Sequence, residues 1–158
     1  MKNRRILIYL VTALVLFVAT AGIRYPLGNR GYLNLSEAVI MLMMPHLDCG
    51  MALLISAGTT AAADILVGSG QYVIATFIIK GLEGFVTAWL GSKRKPFLLI
   101  AAADALICML GYAVTDMLLY GGWQLFLLSL GQNMLQAAIS VALAIWLHPI
   151  IQKTMNSK

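Results

Sequence analysis

The sequence predicts an all-α integral membrane fold. The expected architecture is a compact bundle of six transmembrane helices, one domain over residues 1–158, with both termini cytoplasmic. Three observations carry this. The chain is 61% hydrophobic and 11% charged, against roughly 45–50% and 25% in a soluble domain. Its apolar residues gather into long runs separated by short turns, with a mean hydropathy of +0.87. Its basic residues fall overwhelmingly on one side when each run is counted as a crossing.

The first run, about residues 6–23, follows the basic start Lys2-Asn3-Arg4-Arg5. Val18-Ala19-Thr20-Ala21-Gly22 offers the small residues of a cleavage site. The run is nevertheless longer than the roughly 7–15 residues of a signal core, so it reads as a crossing. A polar connection spans residues 24–35. Ser36-Glu37 then opens a short apolar stretch that Pro45 stops, with Ser36 suited to an N-cap and Glu37 to a first turn. About ten apolar residues, at about 1.5 Å each, are too few to cross untilted. This second segment is therefore either tilted and extended by its flanks, or half-inserted beside a cavity.

The third run, residues 49–67, contains Ser56-Ala57-Gly58-Thr59-Thr60-Ala61-Ala62-Ala63, small residues that let helix backbones approach closely in lipid. Gly68-Ser69-Gly70 turns the chain into the fourth run, residues 72–90. The basic loop Ser92-Lys93-Arg94-Lys95-Pro96 leads to the fifth, residues 97–119. Tyr120-Gly121-Gly122 turns into the sixth, residues 123–147, which His148-Pro149 ends. Six crossings place Lys2, Arg4, Arg5, Lys93, Arg94, Lys95, Lys153 and Lys158 on one side, and Arg24 and Arg30 on the other. Positive charge stays inside, so both ends are expected in the cytoplasm.

This distribution also excludes classes of function. The basic residues flank apolar runs instead of forming a face with interleaved aromatics, so no nucleic acid is expected as a partner. Cys49 and Cys108 share no short spacing and read as buried small side chains. The two histidines are far apart and flank helix ends, so no metal site is expected. No Gly-rich phosphate loop is present, so the chain itself is not expected to bind ATP.

Five ionisable residues nevertheless lie inside the runs: Asp64, Lys80, Glu83, Asp104 and Asp116. Such groups are costly in lipid and normally face a partner or a cavity. Asp64 and Asp116 lie near the outer ends of their helices, with Tyr112 one turn deeper than Asp116. Thr76 belongs to the outer half of the fourth run, and Asn133 and Gln136 are spaced i, i+3 in the outer half of the sixth. Arg24, Asn34 and Glu37 approach from the connection, and Tyr25, Tyr32, Tyr72 and Trp123 offer further rings. The candidate substrate-binding set is therefore Asn34, Glu37, Asp64, Tyr72, Thr76, Tyr112, Asp116, Asn133 and Gln136. These residues can line one outward chamber of the kind that takes small polar metabolites. The outer rings fit an interfacial aromatic belt equally well.

Lys80, Glu83 and Asp104 lie deeper. They read as a buried ion-paired group that fixes helix register, or as a pocket floor or proton relay. No run carries a nucleophile–base pair or a metal triad, so no catalytic residue is assigned and no enzyme is expected. On these residues alone, three readings stay open. One is a solute-binding component, the second an autonomous secondary transporter or channel, and the third an intramembrane enzyme using Asp64, Asp116 or Glu83.

Four segments resemble one family. Residues 31–40, Gly-Tyr-Leu-Asn-Leu-Ser-Glu-Ala-Val-Ile, are similar to the G-Y-x-N-L-G-D-A-V-I segment of the substrate-binding S components of energy-coupling factor (ECF) vitamin transporters. Residues 75–84, Ala-Thr-Phe-Ile-Ile-Lys-Gly-Leu-Glu-Gly, resemble that group's A-T-x-x-I-K-G-L-E-G helix. Gly111-Tyr112 and Asn133-x-x-Gln136 match in the expected order. The resemblance covers essentially the whole chain. It implies a multi-pass protein of the bacterial cytoplasmic membrane that captures a vitamin outside. It also implies docking on a membrane coupling protein with two ATPase subunits that use ATP, while this chain binds no cofactor. The motif combination looks most like the S components for pyridoxine-type or hydroxymethylpyrimidine-type compounds, with riboflavin a close relative. Departures are Ser36-Glu37 for Gly-Asp, Asp116 where Glu is common, and Asp104 as an extra acid. The first helix also lacks the small residues four apart of the family's docking face, because Phe17 follows Ala13 and Ile23 follows Ala19. Ala57/Ala61 and Ala138/Ala142 are the alternative small pairs, read as internal packing.

Overall fold

In lipid every backbone donor must be satisfied within the chain, so long apolar runs bounded by Gly or Pro become helices. A computed structural model describes residues 2–27 and 31–156. Arg30 and Lys158, counted above among the flanking charges, lie outside the described residues. Helix α1 (Lys2–Phe17) continues into a π-helical turn (Val18–Gly22). Strands β1 (Arg24–Pro26) and β2 (Tyr32–Asn34) form an antiparallel hairpin. Helix α2 (Ser36–Met43) ends in a 3₁₀ turn (Met44–His46). Helix α3 (Cys49–Leu66) is followed by a 3₁₀ turn (Gly70–Tyr72) and α4 (Val73–Ser92). Helices α5 (Phe97–Tyr120) and α6 (Trp123–Asn156) complete the chain.

Among the described residues six α-helices are present, and five helices are long and apolar enough to cross a membrane. The exception is α2, eight residues long and so only about 12 Å in length. This short helix lies inside the molecule. One side, through Ile40, meets Leu16 of α1, Ile55 of α3 and Ala88 of α4. The other side, through Ala38, Met41 and Leu42, meets Ala101 of α5 and Ala144 of α6. The hairpin is a second difference from an all-α reading. Backbone pairing of Arg24 with Asn34 and Tyr25 with Leu33 orders what read as a plain polar connection. Helix α6 also runs past His148-Pro149. Pro149 lies inside the helix and has no N–H to donate to the Ile145 carbonyl, so the expected stop at His148-Pro149 does not occur.

The helices are amphipathic in the inverse sense of a soluble bundle. On α4, Thr76, Lys80, Glu83 and Thr87 are buried, while Ile74, Ile78 and Leu82 are exposed. Residues three and four apart share a helix face, so each crossing helix carries a polar stripe inward and leaves an apolar surface outward. Asp48 starts α3 as its N-cap, accepting from the Met51 amide at 2.9 Å and the Tyr9 hydroxyl at 2.6 Å. These two donors, Tyr9 first, hold its carboxyl below the ordinary range.

Helices α3 and α4 pack most closely, and Gly84 marks the contact. A Cβ there would lie 2.5 Å from the Ala52 carbonyl oxygen and inside van der Waals contact with Ser56 Oγ. Gly84→Ala is expected to lower stability by about 1–3 kcal/mol through overpacking, read as a reduced melting temperature in nanodiscs. An unchanged melting temperature would show that this helix pair separates freely. Ala57 and Ala61 are buried, as expected for packing residues, whereas Ala138 and Ala142 lie on the exposed face of α6.

Candidate functional site

The polar stripes of α3, α4, α5 and α6 converge at the hairpin end of the bundle. A cavity of about 40 Å³ lies beneath β2, lined by Asn34, Asp64, Tyr72, Thr76, Tyr112, Asp116, Asn133 and Gln136 from the candidate set. Tyr32, Gln132, Leu27, Gly31 and Leu33 complete the lining. The hairpin lies over the top, with Tyr32, Leu33 and Asn34 in the lining. Gly31 has φ +92°, and a Cβ on it would lie 3.2 Å from the Tyr72 ring. That residue is glycine both for its backbone and for the ring below.

The two acids of the chamber each meet a tyrosine. Tyr32 donates to Asp64 Oδ1 at 2.8 Å, and Tyr72 donates to Asp116 Oδ1 at 2.5 Å. Burial, with Asp64 beside it, pushes the Tyr32 hydroxyl well above its ordinary range, so it stays a donor. Thr76 Oγ1 and the Tyr112 hydroxyl lie 3.0 Å apart. Asn133 Nδ2 donates to the Ser129 carbonyl at 2.9 Å. Gln136 Oε1 accepts the Asn34 amide at 2.7 Å, and the Asn34 side chain accepts from the Ser36 amide at 2.8 Å. The hairpin is thus fastened both to α6 and to the start of α2.

Glu37 lies elsewhere than expected. It is fully buried and absent from the chamber lining. Its Oε1 accepts from Lys80 Nζ, from Gln136 Nε2 at 2.8 Å and from Cys108 Sγ at 3.2 Å. Lys80 also donates to Glu83 Oε2 at 2.9 Å, and its ammonium lies 5.5 Å from the Tyr112 ring centre. The expected deep group therefore gains Glu37. Asp104, expected to join the ion pair, is fully buried but makes no hydrogen bond among the described residues.

The donor atoms of Glu37, Glu83 and Cys108 lie within 4.8 Å of one another, close enough to suggest a metal site. The Lys80 ammonium sits among them and already supplies the positive charge. Sequence reasoning passed over Gln132 as a lining residue and Cys108 as a hydrogen-bond donor. The signal for Cys108 was there: Asp104, Cys108, Tyr112 and Asp116 repeat every four residues along one face of α5.

The chain is similar in sequence to known proteins. An uncharacterised protein from the gap 3′ region of Pyrococcus woesei is 29% identical over 111 residues, covering 66% of this chain and 72% of that protein. No solved structure matches at a significant level. The family model described as "ECF-type riboflavin transporter, S component" matches residues 4–153. That match takes in every crossing helix, the hairpin and the chamber. The chain belongs to the family of ECF-type riboflavin transporter S components, the substrate-binding part of a transporter and not an enzyme family.

Proposed function

We propose that this chain captures a small heteroaromatic vitamin or precursor, best a pyridoxine-type or hydroxymethylpyrimidine-type compound, in the chamber beneath the hairpin. The observation that carries this is the pairing of Asp64 and Asp116 with aromatic rings in one polar cavity. Two carboxylates and several amide oxygens favour a ligand rich in N–H and O–H donors, and Tyr72 and Tyr112 supply ring faces beside them. A cavity of 40 Å³ holds little more than water. A vitamin therefore enters by displacing the hairpin, and a single ring demands less displacement than a fused one. The family model's own substrate favours riboflavin as the second reading.

In this reading residues 1–158 act as one membrane domain of a bacterial cytoplasmic membrane. The hairpin end faces outward and both termini face the cytoplasm. A coupling membrane protein and two ATPase subunits complete the importer, with ATP used by those subunits. Calorimetry with pyridoxine, hydroxymethylpyrimidine and riboflavin on the purified chain tests the assignment, alongside mass spectrometry of any molecule that copurifies. Tight binding of one single-ring compound is expected. Asp64→Asn and Asp116→Asn are each expected to weaken it about tenfold or more, the value of one charge-assisted hydrogen bond. Binding of riboflavin alone would replace the single-ring assignment. No binding, together with uptake by the chain alone without ATP, would favour an autonomous transporter.

A further inference from the structure

A larger cavity, about 610 Å³, opens at the opposite end of the bundle. It lies between the 3₁₀ turn after α2, the α4–α5 loop and the last turns of α6. Its polar lining is one-sided: Arg94, Lys95, His46, His148 and Gln152, with no acid among the described lining residues. The Arg94 and Lys95 side chains make no ion pair or hydrogen bond among the described residues. His148 is held by stacking on Phe97, with ring centres 4.1 Å apart. Helix α5 starts at the same cavity with Pro96 as N-cap, which gives no side-chain acceptor to its first amides. A helix start of this kind adds positive potential beside the cationic side chains.

Arg94 also occupies a position where arginine is unfavourable. The Arg94 amide donates to the Gly91 carbonyl at 2.8 Å and the Lys95 amide to the Leu90 carbonyl at 3.1 Å. This pair of bonds closes a helix with a left-handed residue that is usually glycine. Arg94 adopts it at φ +53°, alone among the described non-glycine residues. The backbone cost is accepted for a side chain that has no partner among the described residues.

We propose that this cavity is a binding site for a phosphate-class anion, held by Arg94 and Lys95 with His46 and His148 as additional donors. The phosphate belongs either to a free solute or to a phospholipid headgroup at the membrane surface, and the chemistry of recognition is the same for both. The groups facing the histidines are Arg94 and Lys95 from the α4–α5 loop and each histidine from the other's element. No acid faces the histidines among the described lining residues. Burial, and then His148, hold the His46 ring below its ordinary range. An anion in the cavity favours its protonation.

The test has two arms, both on the full chain in nanodiscs. Inorganic phosphate is titrated calorimetrically in phosphatidylcholine discs. Phosphatidylglycerol retained from mixed discs is counted by native mass spectrometry. Arg94→Gln and Lys95→Gln are each expected to weaken binding about tenfold in whichever arm shows it. Lys93→Gln and Lys153→Gln, exposed charges outside the lining, are expected to leave it unchanged. Arg94→Gly is expected to raise the melting temperature while weakening anion binding as Arg94→Gln does, which separates folding from binding. Saturable phosphate binding identifies a free solute, and retained phosphatidylglycerol alone identifies a headgroup. Absence of binding in both arms overturns the proposal. So does equal weakening by all four Gln variants, which would reduce the site to a general basic belt.

Discussion

Lys80→Met is expected to remove a large part of the protein's stability. Lys80 is 1% exposed and is the cation for two fully buried carboxylates, Glu37 and Glu83. Its removal leaves both acids in the low-dielectric interior, and breaking a buried pair by deleting one partner costs about 3–5 kcal/mol. Total stabilities are about 5–15 kcal/mol, so the variant should express poorly and melt far below the parent. Gln136 Nε2 and Cys108 Sγ still donate to Glu37, but neither carries charge. The triple variant Lys80→Met/Glu37→Gln/Glu83→Gln should recover part of the loss, because it removes the buried charges together. Asp104→Asn supplies the contrast. Its carboxyl oxygens have no hydrogen-bond partner among the described residues, so that change should leave the melting temperature equal or higher. A Lys80→Met protein that melts like the parent and loses only ligand would refute the scaffold role.

Gln136→Ala is expected to damage both binding and closure. One side chain joins three parts of the fold: it sits on α6, accepts from the β2 amide of Asn34 and donates to Glu37 at the start of α2. Truncation frees the hairpin at its fastening point and leaves the partly buried Asn34 amide without its acceptor. Losing those bonds should cost about 1–3 kcal/mol. Ligand affinity should fall on the order of a hundredfold, as two directed hydrogen bonds are lost from the chamber and its cover. Asn133→Ala is the milder neighbour, because its amide bonds back to Ser129 on its own helix. Its removal should weaken binding while the melting temperature holds. Calorimetric titration with unfolding measured on the same samples separates the two variants. Equal loss of affinity with unchanged stability in both would mean that Gln136 does not hold the hairpin.

Much of the site was legible in sequence because polar residues are so conspicuous inside apolar runs. The positions of Asp64, Thr76, Tyr112, Asp116, Asn133 and Gln136 along their helices give their depth at about 1.5 Å per residue. Shared depth then brings them to one end of the bundle. Glu37 defeated the same reasoning. It begins a short helix after a polar connection, which suggests the chamber wall. The internal position of α2 instead turns it down toward Lys80.

The sequence by itself determined the membrane-spanning helices, their inward polar stripes and the half-length of α2. These follow from local hydropathy, the 3.6-residue period and helix-ending Gly and Pro, all of which act over a few residues. Only the tertiary structure decided which buried charges neutralise one another, and that a hairpin covers the chamber. Lys80 and Glu37 are 43 residues apart, and Gln136 and Glu37 are 99 apart. Contacts at such separations depend on which helix faces meet. The three-dimensional packing sets those faces, and no local pattern records them.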